Sequence, residues 1–146
     1  NGFLEGDDTD SHIDTLARLC DENTIAYVKC DNPDDPHFRE LNKMEEQLRQ
    51  FVTPAGEPYR LIPLPMPDPV FSADEERLPA TYANFLVINQ AVLVPVYAQK
   101  SDKIALKALQ NAFPDREIIG INCLSLIKQN GSLHCITMQF PKGFIR

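Results

Sequence analysis

Apolar and polar positions follow two different periods along this chain, and the changes of period mark its elements. Residues 24–29 (TIAYVK) form a short apolar run rich in strand formers, which DNPDDP at 31–36 interrupts. A helix is expected next, with Asp35 suited to cap it and Pro36 to its first position. Phe38, Leu41, Leu48 and Phe51 then recur near the helical period. YRLIPL at 59–64 returns to a strand pattern, and five prolines from Pro63 to Pro79 indicate an ordered loop or a surface linker.

The second half repeats this order. Phe85 to Ile88 and Val92 to Val96 read as paired strands around a turn at Asn89 and Gln90. Ser101 is placed to cap a helix with the stripe Ile104, Ala105, Ala108, Leu109 and Ala112, and Pro114 ends it. EIIGI at 117–121 is the closing strand. A strand-helix-strand unit near residue 25 thus recurs roughly 65 residues later, which points to duplicated architecture. The pattern predicts an α/β fold of ββαβ units.

Composition bounds what such a fold could do. The 146 residues suit one domain with a real core, and 43% hydrophobic with 24% charged residues excludes a disordered or fibrous chain. The formal net charge of −7 argues against a nucleic-acid partner and favours a cationic small molecule. Apolar runs such as Ala91 to Val96 fall far short of the roughly 20 residues of a membrane helix, so no membrane partner is expected. The first residues lack signal-peptide architecture, and the four cysteines include no CxxC pair, so a reducing cytoplasm is the expected location. The chain has no initiator Met and opens inside a motif, which suggests a fragment.

That motif is GDDTDSHID, residues 6–14. As a calcium loop starting at Asp8 it fails, because its sixth position is Ile13 rather than Gly and its twelfth is Leu19 rather than Glu. Zinc lacks a second histidine or a cysteine pair at suitable spacing, so no metal is expected. Asp7, Asp8 and Asp10 could form only a solvated acidic turn, although an acidic loop beside His12 would also attract a cation. If residues 11–19 form a strand, His12 and Asp14 share a face while Ile13 takes the other. In GSLHCITMQFP, residues 131–141, a strand after Gly131 would set Cys135 beside Leu133 and Thr137. His134 would then point the opposite way and be poorly placed to serve Cys135 as a base. His37, beside Pro36 at a helix start, is expected to be exposed. Cys20, Cys30 and Cys123 read as small core hydrophobes.

Taken in order, LEGDDTDSHIDTLAR (4–18), LPMPDP (64–69), TYANFLVINQAVLVPVY (81–97), FPDREIIGI (113–121) and GSLHCITMQFP (131–141) resemble the C-terminal part of the agmatine deiminase and bacterial peptidylarginine deiminase family. The resemblance implies a pentein, a ring of five ββαβ modules around a substrate channel, of which residues 1–146 supply about two and a half. The N-terminal half, with a further Asp and Glu of the family site, would be absent. An isolated half ring is expected to self-associate. Two departures, the single glycine in Gln129-Asn130-Gly131-Ser132 and Ser11 in place of a common Gly, concern loop shape and so specificity more than reaction type.

Residue by residue, the resemblance implies Cys135 as nucleophile, His12 as general acid and base, and Asp14 as a carboxylate gripping the guanidinium. Asp8 and Gly131 join them as substrate-side residues. It also implies hydrolytic deimination of agmatine to N-carbamoylputrescine and ammonia through a covalent Cys135 thiouronium, a step of polyamine biosynthesis needing no cofactor. Free or peptidyl arginine is the alternative substrate, and a non-catalytic guanidine-binding or interaction module is the third reading.

Overall fold

The computed structural model describes residues 4–7, 12–141 and 143–144. A 3-10 turn at Ile13–Thr15 leads into β1 (Ala17–Leu19), β2 (Thr24–Lys29), α1 (Phe38–Leu48) and β3 (Arg60–Pro65). The second unit comprises β4 (Leu86–Val87), β5 (Ala91–Val96), α2 (Lys100–Ala112) and β6 (Glu117–Asn122), followed by 3-10 turns at Leu126–Gln129 and His134–Ile136.

Each unit is a three-stranded sheet with its second strand in the centre. In the first, β2 runs antiparallel to β1 and parallel to β3, with Ile25 opposite Leu61. In the second, β5 runs antiparallel to β4 and parallel to β6, with Val92 opposite Ile118. Parallel neighbours require a crossover, and α1 and α2 provide it. Central strands are covered on both faces, which is why 24–29 and 91–96 are near-continuous apolar runs. The ββαβ order expected from the sequence is therefore found in both units. α2 packs on β6 of its own unit and on β3 of the other, so one core runs through both.

The helices differ from expectation at their ends. α1 buries Leu41, Met44 and Leu48 but stops there, leaving Phe51 beyond the helix and 52% exposed. His37 rather than Asp35 occupies the cap position of α1, and Asp35 instead accepts the His37 backbone N–H at 2.9 Å. α2 is capped by Gln99 in a reciprocal box with Asp102, while the Ser101 hydroxyl meets that of Tyr82 at 2.8 Å. Ala105, Leu109 and Ala112 are buried as expected, whereas Ile104 is exposed.

The strand expected over 11–19 is extended only at 17–19, as β1, with a 3-10 turn at 13–15, and the strand expected after Gly131 holds a 3-10 turn at 134–136. At 13–15, the Thr15 hydroxyl lies 2.9 Å from both the His12 carbonyl and Asp7 Oδ2, so short polar contacts outcompete an extended ladder. At 134–136, the Thr137 hydroxyl donates to the His134 carbonyl at 2.8 Å and the His134 N–H is taken by Asn84. His12 and Asp14, and likewise His134 and Cys135, therefore do not take the alternating faces of an extended strand. His37, expected to be exposed, is fully buried. No helix among the described residues is long and apolar enough to cross a membrane.

Candidate functional site

The two 3-10 turns meet over one buried side chain, Asn84, which lies just before β4. Its carboxamide Nδ2 donates to Asp14 Oδ2 at 3.0 Å. Its Oδ1 accepts the His134 N–H at 2.8 Å and lies 3.4 Å from the Cys135 N and 3.5 Å from the Cys135 Sγ. The orientation of the amide follows from its partners: donors cluster at one end and a carboxylate sits at the other. Asn84 thus fixes the separation between Asp14, from the chain's start, and Cys135, from its end.

Asp14 is also held from the other side, since the His134 ring donates from Nδ1 to Asp14 Oδ2 at 2.7 Å. Two donors on Oδ2 leave Oδ1 without a hydrogen-bond partner among the described residues. A carboxylate so oriented can accept N–H groups of a planar cation. Arg18 stands nearby, its guanidinium 5.0 Å from the centroid of the Phe85 ring and donating to the Phe85 carbonyl at 2.9 Å. Burial lowers its pKa, and the charge of Asp14 opposes that shift.

The loop under Cys135 is shaped by a tight approach. Asn130 ends the preceding 3-10 turn in the left-handed region at φ 61°, which asparagine tolerates. Gly131 then passes so close that a Cβ there would lie 3.1 Å from the Cys135 Cβ and 3.3 Å from its Sγ. A side chain at 131 would press on Cys135, which would have to give by a few tenths of an ångström, whereas position 130 takes its left-handed conformation without a glycine.

Asp14, Gly131 and Cys135 are therefore brought together. The His12 side chain is exposed and makes no hydrogen bond with a described residue, although its carbonyl closes the turn that carries Asp14. Asp8 lies outside the described residues. Of the cysteines, Cys135 is exposed, Cys20 is partly buried, and Cys30 and Cys123 are buried. Burial pushes the Cys20 thiol up to about 11 and raises those of Cys30 and Cys123. Asp14 and Arg18 also border a groove of about 590 Å³, whose apolar walls include Ile13, Leu19, Leu48, Phe51 and Tyr59. No group of three or more His, Cys, Asp or Glu among the described residues could hold a metal ion.

Sequence reasoning missed Asn84 and assigned His134 to the wrong surroundings. The available signal for Asn84 was one amide between the apolar residues of TYANFLV, a polar group that burial obliges to find partners.

Comparison with known proteins sets this geometry in a family. A protein from Porphyromonas gingivalis, provisionally called an arginine deiminase, superposes with TM-score 0.96 at 57% identity, over 99% of this chain and 42% of its own. A C. jejuni agmatine deiminase with a cysteine changed to serine, solved with substrate bound, gives TM-score 0.84 at 48% identity, over 92% of this chain and 38% of its own. A curated protein from Marinomonas sp. strain MWYL1, provisionally called an agmatine deiminase, is 30% identical over 95% of this chain and 42% of its own length. The chain thus spans about two-fifths of the curated relatives it matches. The family model for Porphyromonas-type peptidyl-arginine deiminase matches residues 1–141, and the chain belongs to that family.

Proposed function

We propose that the chain is the C-terminal part of a guanidine deiminase, about two and a half of the five ββαβ modules of a pentein ring, with agmatine as substrate. The observation that carries this reading is the pairing of Asp14 and Cys135 across the buried Asn84 carboxamide. Asp14 grips the guanidinium through charge-assisted hydrogen bonds, with Asp8 adding negative charge and Gly131 leaving space above Cys135. The Cys135 thiolate attacks the central carbon and forms a C–S bond. The C–N bond then breaks as His12 gives its proton to the leaving nitrogen, which departs as ammonia.

An S-alkylthiouronium remains on Cys135. His12, now neutral, takes a proton from water, and the hydroxide adds to the same carbon. The added hydroxyl loses its proton to solvent as the C–S bond breaks, which forms the carbonyl, returns the thiolate and releases N-carbamoylputrescine. The sum is the agmatine guanidinium plus water giving the neutral ureido product, ammonia and a proton, which leave together as ammonium, with no redox change and no cofactor. In this reading Asn84 and His134 hold Asp14 in the aim that the attack requires. The reaction would feed polyamine biosynthesis in the cytoplasm.

Arginine, free or peptidyl, is the second reading, favoured by the family description and the P. gingivalis relative. Ammonia release by the longer protein from agmatine, arginine and an arginyl peptide decides between them. Preference for agmatine supports the first reading and preference for either arginine substrate the second. Binding without ammonia release from any of them would reduce the chain to a guanidine-binding module.

A further inference from the structure

The buried His37 belongs to none of this chemistry, yet it touches the loop that leads to His12. It sits fully buried at the cap of α1, and its Nε2 accepts the backbone N–H of Glu5 at 2.8 Å. Its Nδ1 lies 2.6 Å from Asp35 Oδ1. A backbone amide can only donate, so Nε2 must present a bare lone pair, and the single proton of the neutral ring is on Nδ1, given to Asp35. The second oxygen of Asp35 accepts from Arg77 Nη2 at 3.0 Å.

Arg77 also forms the floor of the same loop. Gly6 has φ +84°, and a Cβ there would stand 2.2 Å from the Arg77 carbonyl oxygen, so only glycine can lie this close. One residue further, Asp7 accepts the Thr15 hydroxyl. Residues 5–7 are thus fastened at successive positions to the start of α1, to the proline-rich segment and to the turn that carries Asp14.

We propose that neutral His37 is a positioning residue that latches this loop, and that a second ring proton releases it. With both nitrogens protonated, Nε2–H would face the Glu5 N–H, two donors with no acceptor between them, and one must turn away. Charged groups among the described residues that act on the ring include Asp35 beside it in sequence, Arg77 from the proline-rich segment and Glu5 from the loop. Cys30, just after β2, is near enough to feel the charges of Asp35 and Arg77. Burial and Arg77 oppose the second proton, Asp35 and Glu5 favour it, and burial is the largest effect, so the pKa of His37 is lowered. A group with a lowered folded pKa contributes stability above its unfolded value and loses it as pH falls through the folded one. The latch is therefore closed at neutral pH and opens on acidification.

The test needs no catalysis, so it can fail while the deiminase reading stands, and the reverse. Nitrogen-detected NMR of the full chain should find His37 as the Nδ1–H tautomer at neutral pH. Exchange of the Glu5 amide, corrected for its intrinsic rate, should accelerate about tenfold as His37 takes its second proton, the change expected for one lost hydrogen bond, while the Val28 amide of β2 keeps its protection. His37→Gln offers an acceptor that cannot titrate and should keep Glu5 protected with no pH step, whereas His37→Phe should leave it unprotected at every pH. The Nε2–H tautomer, equal Glu5 protection in both charge states, or a pH step surviving in His37→Gln would each overturn the proposal. If His37→Phe does not fold, the pH series of the native chain and the Gln variant decide alone.

Discussion

Changing Arg77 to Met asks how much the buried ion pair behind the loop contributes. Arg77 and Asp35 side chains are only 7% and 9% exposed and meet at 3.0 Å. Burial pushes the Asp35 carboxyl up, but Arg77 and the backbone and ring of His37 outweigh it and hold the group at about 2, against an ordinary 3.8. A difference of that size corresponds to about 2 kcal/mol of folding free energy at neutral pH. Removing one partner of a buried pair typically costs about 3–5 kcal/mol, because the remaining charge is left facing protein rather than water. Asp35 keeps its two bonds to His37, so the expected loss is about 2–4 kcal/mol, below the full figure for a stranded charge.

The pH dependence has a fixed sign. A depressed carboxyl contributes stability fully above its unfolded value and loses it as pH falls through the folded one, here between 3.8 and about 2. Arg77→Met removes much of that depression, so the gap between native chain and variant should be widest at neutral pH and narrow below about pH 4. The chain has no Trp, but Tyr27, Tyr82 and Tyr97 are buried, so urea unfolding can be followed by tyrosine circular dichroism. A loss under about 0.5 kcal/mol at pH 7 would mean that the pair behaves as a solvent-screened surface bridge. An undiminished gap at acid pH would mean that Arg77 acts through packing instead.

Four further outcomes are expected. In the longer protein, Cys135→Ser should abolish turnover but still bind agmatine, whereas Asp14→Asn should weaken binding by about 2–5 kcal/mol, both read by calorimetric titration; equal affinities would remove Asp14 as a guanidinium ligand. A cationic haloamidine should alkylate the exposed Cys135 before Cys20, Cys30 or Cys123, whose thiols burial raises, and mass mapping that finds another site first would misplace the nucleophile. Gly131→Ala should slow that alkylation at least about tenfold and cost about 1–3 kcal/mol of stability, since its methyl would press on Cys135; an unchanged rate would show that the loop yields freely. The isolated chain should release no ammonia and should self-associate in sedimentation, because Ile13, Leu19, Phe51, Val52 and Met138 are exposed apolar side chains that the proposed ring would cover; monomeric, active chain would contradict both.

The order of elements was legible in the amino-acid sequence because it depends on local periodicity. Central strands covered on both faces must be continuous runs of apolar residues, as 24–29 and 91–96 are, and crossover helices must carry a one-sided stripe. The motifs around Asp14 and Cys135 were legible for a different reason, since their side chains match a known family pattern whatever the local backbone does. Helix ends were less so. Phe51 fits the period of α1 but lies past its end, because position in a stripe says nothing about where the backbone stops.

Tertiary structure alone decided what Asn84, His134 and His37 do. Asn84 bridges residues 70 positions before it and 51 after it, and no local pattern encodes an amide's partners at that distance. The same distant bonds make 134–136 a turn rather than a strand, and the His134 ring, expected beside Ile136 and Met138 on a strand face, instead lies against Asp14, 120 residues away in sequence. His37 looks like an exposed helix start until Asp35, Arg77 and Glu5 converge on it and satisfy every polar group that burial would otherwise leave unpaired. Apolar burial can be read along the chain because its driving force is non-directional, but hydrogen-bond partners cannot, because they depend on geometry that exists only after the chain has folded.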